Sequence, residues 1–162
     1  MSICDTPDTL PDTLWELLAV ARSDALAIAR DPRYALNMGA WHTPSGITCH
    51  VCLAGAVMAR SLQAPRDARL SPGSYYTVET SALDRKLGAI NMVREGMYTA
   101  ALLYLHPALD QDAPKIKLLL ERIALLIDSP YLEGSPSAAD IEEFFAHPKL
   151  VKFLSLLKEH NF

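Results

Sequence analysis

Apolar residues recur along this chain mostly at three- and four-residue spacing, the period of a helix with one buried face. Leu14, Leu17, Leu18, Ala21, Ala25 and Ile28 share such a face and predict a helix from about Thr9 to Ala29. Thr9 or Asp8 can cap it, Pro11 suits its first turn, and Asp31-Pro32 stops it, because proline forces the preceding residue out of helical geometry. A second helix is expected from Cys49 or His50 to Leu62. Its core, Leu53-Ala54-Gly55-Ala56-Val57-Met58-Ala59, is short-sided. Glycine there costs about 1 kcal/mol of helix propensity relative to alanine, so Gly55 implies another backbone packed close against it.

Leu83, Leu87, Ile90, Met97, Ala101 and Tyr104 carry a third helix from Ser81 to Leu105, with a bend at Gly96. Asp112 and Pro114 open a fourth, whose face is Ile116, Leu119, Leu120, Ile123 and Ile127. Leu118, Leu125 and Leu126 widen that face and predict burial on more than one side. A short fifth helix follows over Ser137 to Ala146, and Pro148 starts a last one with Leu150, Phe153, Leu154 and Leu157 on one face.

The helical period fails in two places. Over 33–48, Tyr34, Leu36, Met38 and Ala40 alternate and Thr43-Pro44-Ser45-Gly46 signals a turn, so a small hairpin is expected near residues 34–48. Residues 63–80, with Pro65, Pro72, Gly73 and Tyr75-Tyr76, form the longest irregular stretch, and loops of this length in compact domains are often functional. No β-branched runs alternate with the helices, which argues against an α/β sheet. The expected fold is mainly α: a single-domain bundle of five or six helices over 9–162, with one small hairpin and a polar arm over 1–8.

Composition agrees with a packed domain. Half of the 162 residues are hydrophobic and 21% are charged, which excludes wholesale disorder. No uninterrupted apolar run of about 18 residues is present, so no membrane span is expected. The net charge is −4, and all of it falls in residues 1–31, with six acids against two bases. The balanced remainder argues against nucleic acid as a partner, since duplex binding rewards a basic face. Two local biases remain. Residues 60–94 carry six bases against three acids, and residues 128–143 carry Asp128, Glu133, Asp140, Glu142 and Glu143 with no base. These are either ordinary solvated faces or patches that orient a partner. The first residues show no secretory pattern, and three cysteines make no disulfide framework, so a reducing cytoplasm is the expected setting.

Candidate chemistry concentrates between Trp41 and Cys52. Three readings of this segment stand side by side. Cys49 and Cys52, with His42 or His50, have the spacing of half a zinc site; a fourth ligand would have to come from Cys4, His106, His147 or His160. A CxxC at a helix start can also do thiol redox chemistry, but here the strand that normally precedes that motif is missing. Third, the cysteines can be small buried hydrophobes in one helix stripe with Leu53, Ala56 and Val57, covered by Trp41; this reading needs no cofactor and is preferred. No phosphate loop, zinc-protease, calcium-loop or nucleophile-elbow motif is present. In the irregular stretch, Arg66, Arg69, Tyr75 and Tyr76 are the residue types that anchor interfaces. Beside Arg66 and Arg69 the tyrosines could also stack on bases, but covering the core beside the loop is the preferred alternative.

The stretch W-x7-C-x2-C-L-x-G-A-x-M-A, from Trp41 to Ala59, resembles a pattern in small uncharacterised proteins of phages and mobile elements, in which a tryptophan-bearing loop precedes a helix with a C-L-x-G-A core. The resemblance implies a setting, a phage-type accessory protein that binds a host component, and carries over no catalytic or ligand residue. The expected function is therefore a non-enzymatic interaction module that modulates or inhibits a host protein, using Arg66, Arg69, Tyr75 and Tyr76. The alternative is a zinc- or thiol-dependent protein centred on Cys49 and Cys52. A homodimer is open to either, through the fourth helix or the Phe153/Leu157 face.

Overall fold

The computed structural model describes residues 9–67, 69, 82–105 and 113–162. Among these it is mainly helical, with seven helices and a three-stranded sheet: α1 (Leu14–Ala29), β1 (Tyr34–Leu36), β2 (His42–Ser45), β3 (Thr48–Val51), α2 (Leu53–Ala59), α3 (Ala82–Arg94), α4 (Tyr98–Leu105), α5 (Ala113–Ile123), α6 (Ala138–Ala146) and α7 (Pro148–His160). The expected arm over 1–8 lies outside the described residues.

The apolar face read for α1 is the buried one: Leu14, Leu17, Leu18, Ala21, Ala25 and Ile28 are all interior. The helix starts later than expected because the chain before it is tied elsewhere. The Lys86 ammonium, itself buried, donates to the Leu10 carbonyl at 2.9 Å and pairs with Asp12 at 3.0 Å. A carbonyl engaged across the fold is not available to a helical turn. The first amide of α1, Leu14, donates to an oxygen of Phe162, so the last residue fills a donor that the helix leaves open.

The hairpin falls at β2 and β3, later than expected, and the alternating segment becomes a third strand. β3 is central: it pairs antiparallel with β2 and parallel with β1, in the order β1-β3-β2. Gly46, at φ +64°, takes the first central turn position while Ile47 stays at negative φ, as a type II′ hairpin turn requires.

The second helix begins at Leu53, so Cys49, expected on it, lies in β3 instead. The expected close approach at Gly55 is present, and its partner is a loop backbone. A Cβ on Gly55 would lie 1.6 Å from the Trp41 carbonyl oxygen and 2.8 Å from its carbon. The third helix is two. Gly96, at φ +75°, breaks it, and α4 folds back so that the Tyr104 ring lies on Gly88, where a Cβ would be 2.4 Å from ring carbon Cε1.

The expectation for α5 needs correction. Ile116, Leu119 and Ile123 are buried, whereas Leu118, Leu125 and Ile127 are exposed. The helix packs one face on α7, where Arg122 meets Glu159 at 3.0 Å, and it ends at Ile123, so the apolar residues after it leave the helical period: Leu125 and Ile127 point outward, while Leu126 packs partly against the core. At the other end of the chain the reading holds: Ser137 and Asp140 form a reciprocal capping box on α6, and Leu150, Phe153 and Leu157 of α7 are interior, with Phe153 stacked on Tyr98 at 4.2 Å.

Gly55→Ala is expected to lower unfolding free energy in a denaturant titration by at least about 2 kcal/mol, because the Trp41 loop must move. Leu125→Ala should change it by less than about 0.5 kcal/mol. Equal effects would refute this assignment of core and surface.

Candidate functional site

The segment from Trp41 to Cys52 is built as a hairpin followed by a helix cap. Along β3 alternate residues face opposite ways, so Cys49 and Val51 enter the core while Thr48 and His50 lie on the other side. His42, opposite Val51 on β2, is fully buried. The Cys49 sulfur lies 3.6 Å from His42 Nδ1 and 3.7 Å from Nε2. A sulfur equally far from both nitrogens lies along the lone-pair direction of neither, so the contact is packing against the ring rather than an aligned nucleophile–base bond.

His50 turns away from that pair. Its Nδ1 lies 3.2 Å from the side-chain nitrogen of Asn37. Cys52 goes to a third environment. It is extended and caps α2: its sulfur accepts from the Gly55 amide at 3.3 Å and from Asn91 Nδ2 at 3.3 Å. Asn91, on α3, returns its carbonyl oxygen to the Ala54 amide at 3.2 Å, so two of the amides left open at the start of α2 are satisfied. Arg94 extends the network, donating to Asn91 Oδ1, to the Leu132 carbonyl at 3.0 Å and to Glu95 at 3.0 Å. None of this was visible in local spacing, since Asn91 is 39 residues from the sulfur it meets.

The four residues read as metal ligands are thus divided: His42 with Cys49, His50 with Asn37, and Cys52 with Asn91. Among the described residues no group of three or more His, Cys, Asp or Glu side chains converges as a metal site would require. Both cysteines are free and buried. Burial pushes both thiols above the ordinary range; for Cys49 the positive charge of Arg66 opposes this only in part, and for Cys52 the bonds from Asn91 and Gly55 do the same. Thiolates are the reactive form, so this environment holds the sulfurs in the unreactive one.

The hairpin does border an open cleft of about 510 Å³. Pro44, Ile47 and Thr48 form one wall, Arg66 and Asp67 the other, and Cys49 touches the floor. Arg66 and Arg69 are exposed, and neither has an ion-pair partner among the described residues. Arg33 binds Asp31 through several hydrogen bonds and holds its carboxyl down to about 2, with a smaller contribution from the charge of Arg66. Tyr75 and Tyr76, the other two expected anchors, lie outside the described residues. Sequence reasoning missed Ile47, which is 93% exposed at the hairpin tip. The signal for it was present: a β-branched residue beside a turn glycine, where a polar residue would serve the turn better.

No helix among the described residues is long and apolar enough to cross a membrane. Comparison of the chain with protein-family models, with curated proteins and with solved structures finds no match.

In a Cys4→Ser background, both thiols should react slowly with a disulfide reagent at neutral pH in the folded protein and at once in denaturant; fast native labelling of that variant would contradict their placement. Asn91→Ala should cost about 1–3 kcal/mol of stability, because the Ala54 amide and the Arg94 side chain lose a buried partner. Cys52→Ser, which keeps an acceptor at the cap, should cost less than Cys52→Ala.

Proposed function

We propose that this protein is a non-enzymatic interaction module that binds a protein partner through the hairpin tip and the adjoining arginines. The observation that supports this most is Ile47. A fully exposed isoleucine at a turn contributes nothing to folding, and here it stands beside Arg66 across an open cleft. An apolar knob next to a guanidinium with no ion-pair partner among the described residues has the composition of an interface anchor. Arg69, Tyr75 and Tyr76 extend the same anchor set along the chain. The buried, protonated sulfurs favour an architectural role for Cys49 and Cys52 over the zinc- or thiol-dependent alternative.

With the Trp41–Ala59 resemblance, we take the setting to be a phage or mobile element, with a host factor in the cytoplasm as the proposed partner and modulation or inhibition of that factor as the proposed outcome. Affinity capture from host lysate tests it. The wild-type chain should retain a partner that an Ile47→Ser/Arg66→Glu/Arg69→Glu variant loses by about tenfold or more, a change of roughly 1.4 kcal/mol. Undiminished capture by a folded triple variant would reject this surface. Near-stoichiometric zinc in the purified protein, lost with stability in a Cys49→Ser/Cys52→Ser variant, would replace the reading with the metal-dependent one.

A further inference from the structure

A second surface, on the far segment of the chain, carries its own argument. Leu125, Ile127 and Tyr131 are 79%, 72% and 61% exposed, in a stretch of seven residues that follows α5. Monomer surfaces seldom leave apolar side chains grouped in this way unless something covers them. The stretch runs into a groove of about 340 Å³. Tyr131 and Phe144 give it aromatic walls, and Glu133, Asp140 and Glu143 line it with carboxylates.

The state of those carboxylates points to the occupant. Five acids elsewhere are paired with a base: Asp24 with Arg60, Asp31 with Arg33, Asp12 with Lys86, Glu95 with Arg94 and Glu159 with Arg122. Glu133 and Glu143 have no ion-pair partner among the described residues. Asp140 is held ionised, its carboxyl lowered by hydrogen bonds from Ser137 at the start of α6. One basic side chain lines the groove, His147, whose Nδ1 accepts from the Lys149 amide at 3.1 Å. The Lys149 ammonium itself donates to the Ile127 carbonyl. The groove therefore combines an excess of carboxylates, three against one histidine, with the exposed apolar residues of the stretch that leads into it. We infer that it docks a partner segment of complementary chemistry: an amphipathic stretch with lysines or arginines flanking an apolar face. The basic side chains enter between Glu133 and Glu143, and the apolar face covers Leu125, Ile127 and Tyr131. This surface is independent of the hairpin tip, so either can fail alone.

The probe is a fluorescent Leu/Lys amphipathic peptide of about four helical turns, titrated with the full chain by anisotropy. Its Leu/Glu counterpart and a shuffled Leu/Lys peptide serve as controls. Only the amphipathic Leu/Lys peptide should bind, and added salt should weaken it. Glu133→Lys/Glu143→Lys and Ile127→Ser/Tyr131→Ser should each reduce binding by about tenfold or more, while Glu16→Lys on α1 should not. These positions are exposed or line the groove, and the fold of each variant is checked by its thermal transition. Equal binding of the three peptides, or binding indifferent to both groove variants, overturns the proposal. So does concentration-dependent self-association that the same groove variants abolish, since the occupant would then be a second copy of the chain.

Discussion

The contact between the Trp41 carbonyl and Gly55 organises much of this molecule. No side chain fits between them: any Cβ on residue 55 would overlap the carbonyl. That closeness lets the loop before β2 lie directly on α2, a helix of seven residues that is too short to be stable alone. Its stability must come from tertiary contact and from its cap. Both are supplied by the same stretch of chain, since Trp41 covers it from one side and Cys52 caps its start. Because β2 and β3 lead from one to the other, the hairpin is fixed by its two ends and its turn is pushed into solvent.

The polar network around Asn91 is the counterpart of that apolar contact. A helix start buried in the core would leave unpaired amides, and each such group costs about 1–3 kcal/mol. One asparagine on α3 and one cysteine sulfur satisfy those of Ala54 and Gly55, and Arg94 links the arrangement to the Leu132 carbonyl. The cysteines thereby have physical roles that require no chemistry. One fills core space against His42, and the other is a helix cap. Burial, which makes them useful there, also keeps their protons on.

Much of the helical content was legible because it rests on long periodic faces. α1 and α7 were read with their buried residues nearly as they stand, α6 was read by its span alone, and Ser137 and Pro148 marked two starts correctly. The CxxC region was harder. A three-residue spacing between cysteines fits a helix, but Thr48 to Val51 can also alternate, and the two-residue turn at Gly46-Ile47 decides for a strand. Leu118 and Leu125 misled for another reason: apolar pattern alone cannot distinguish a buried side from an exposed one that serves something else. The Asn91 cap was not legible, since the partners meet only through the packing of α3 on α2. Of the site residues expected from sequence, Arg66 and Arg69 are exposed and Arg66 lines the cleft beside the hairpin, while Ile47 was overlooked although an isoleucine next to the turn glycine marked it.

The central claim is that the tryptophan-to-cysteine segment is a rigid structural seat and that recognition lies on the surfaces it holds outward. Native-state hydrogen exchange at the Ala54 and Gly55 amides tests this most directly. If Asn91 and Cys52 cap a helix locked under the Trp41 loop, these two amides exchange only when the whole domain unfolds, with the free energy of global unfolding. Exchange through a much smaller local opening, at ordinary loop rates, would mean that the seat opens on its own and would contradict the account.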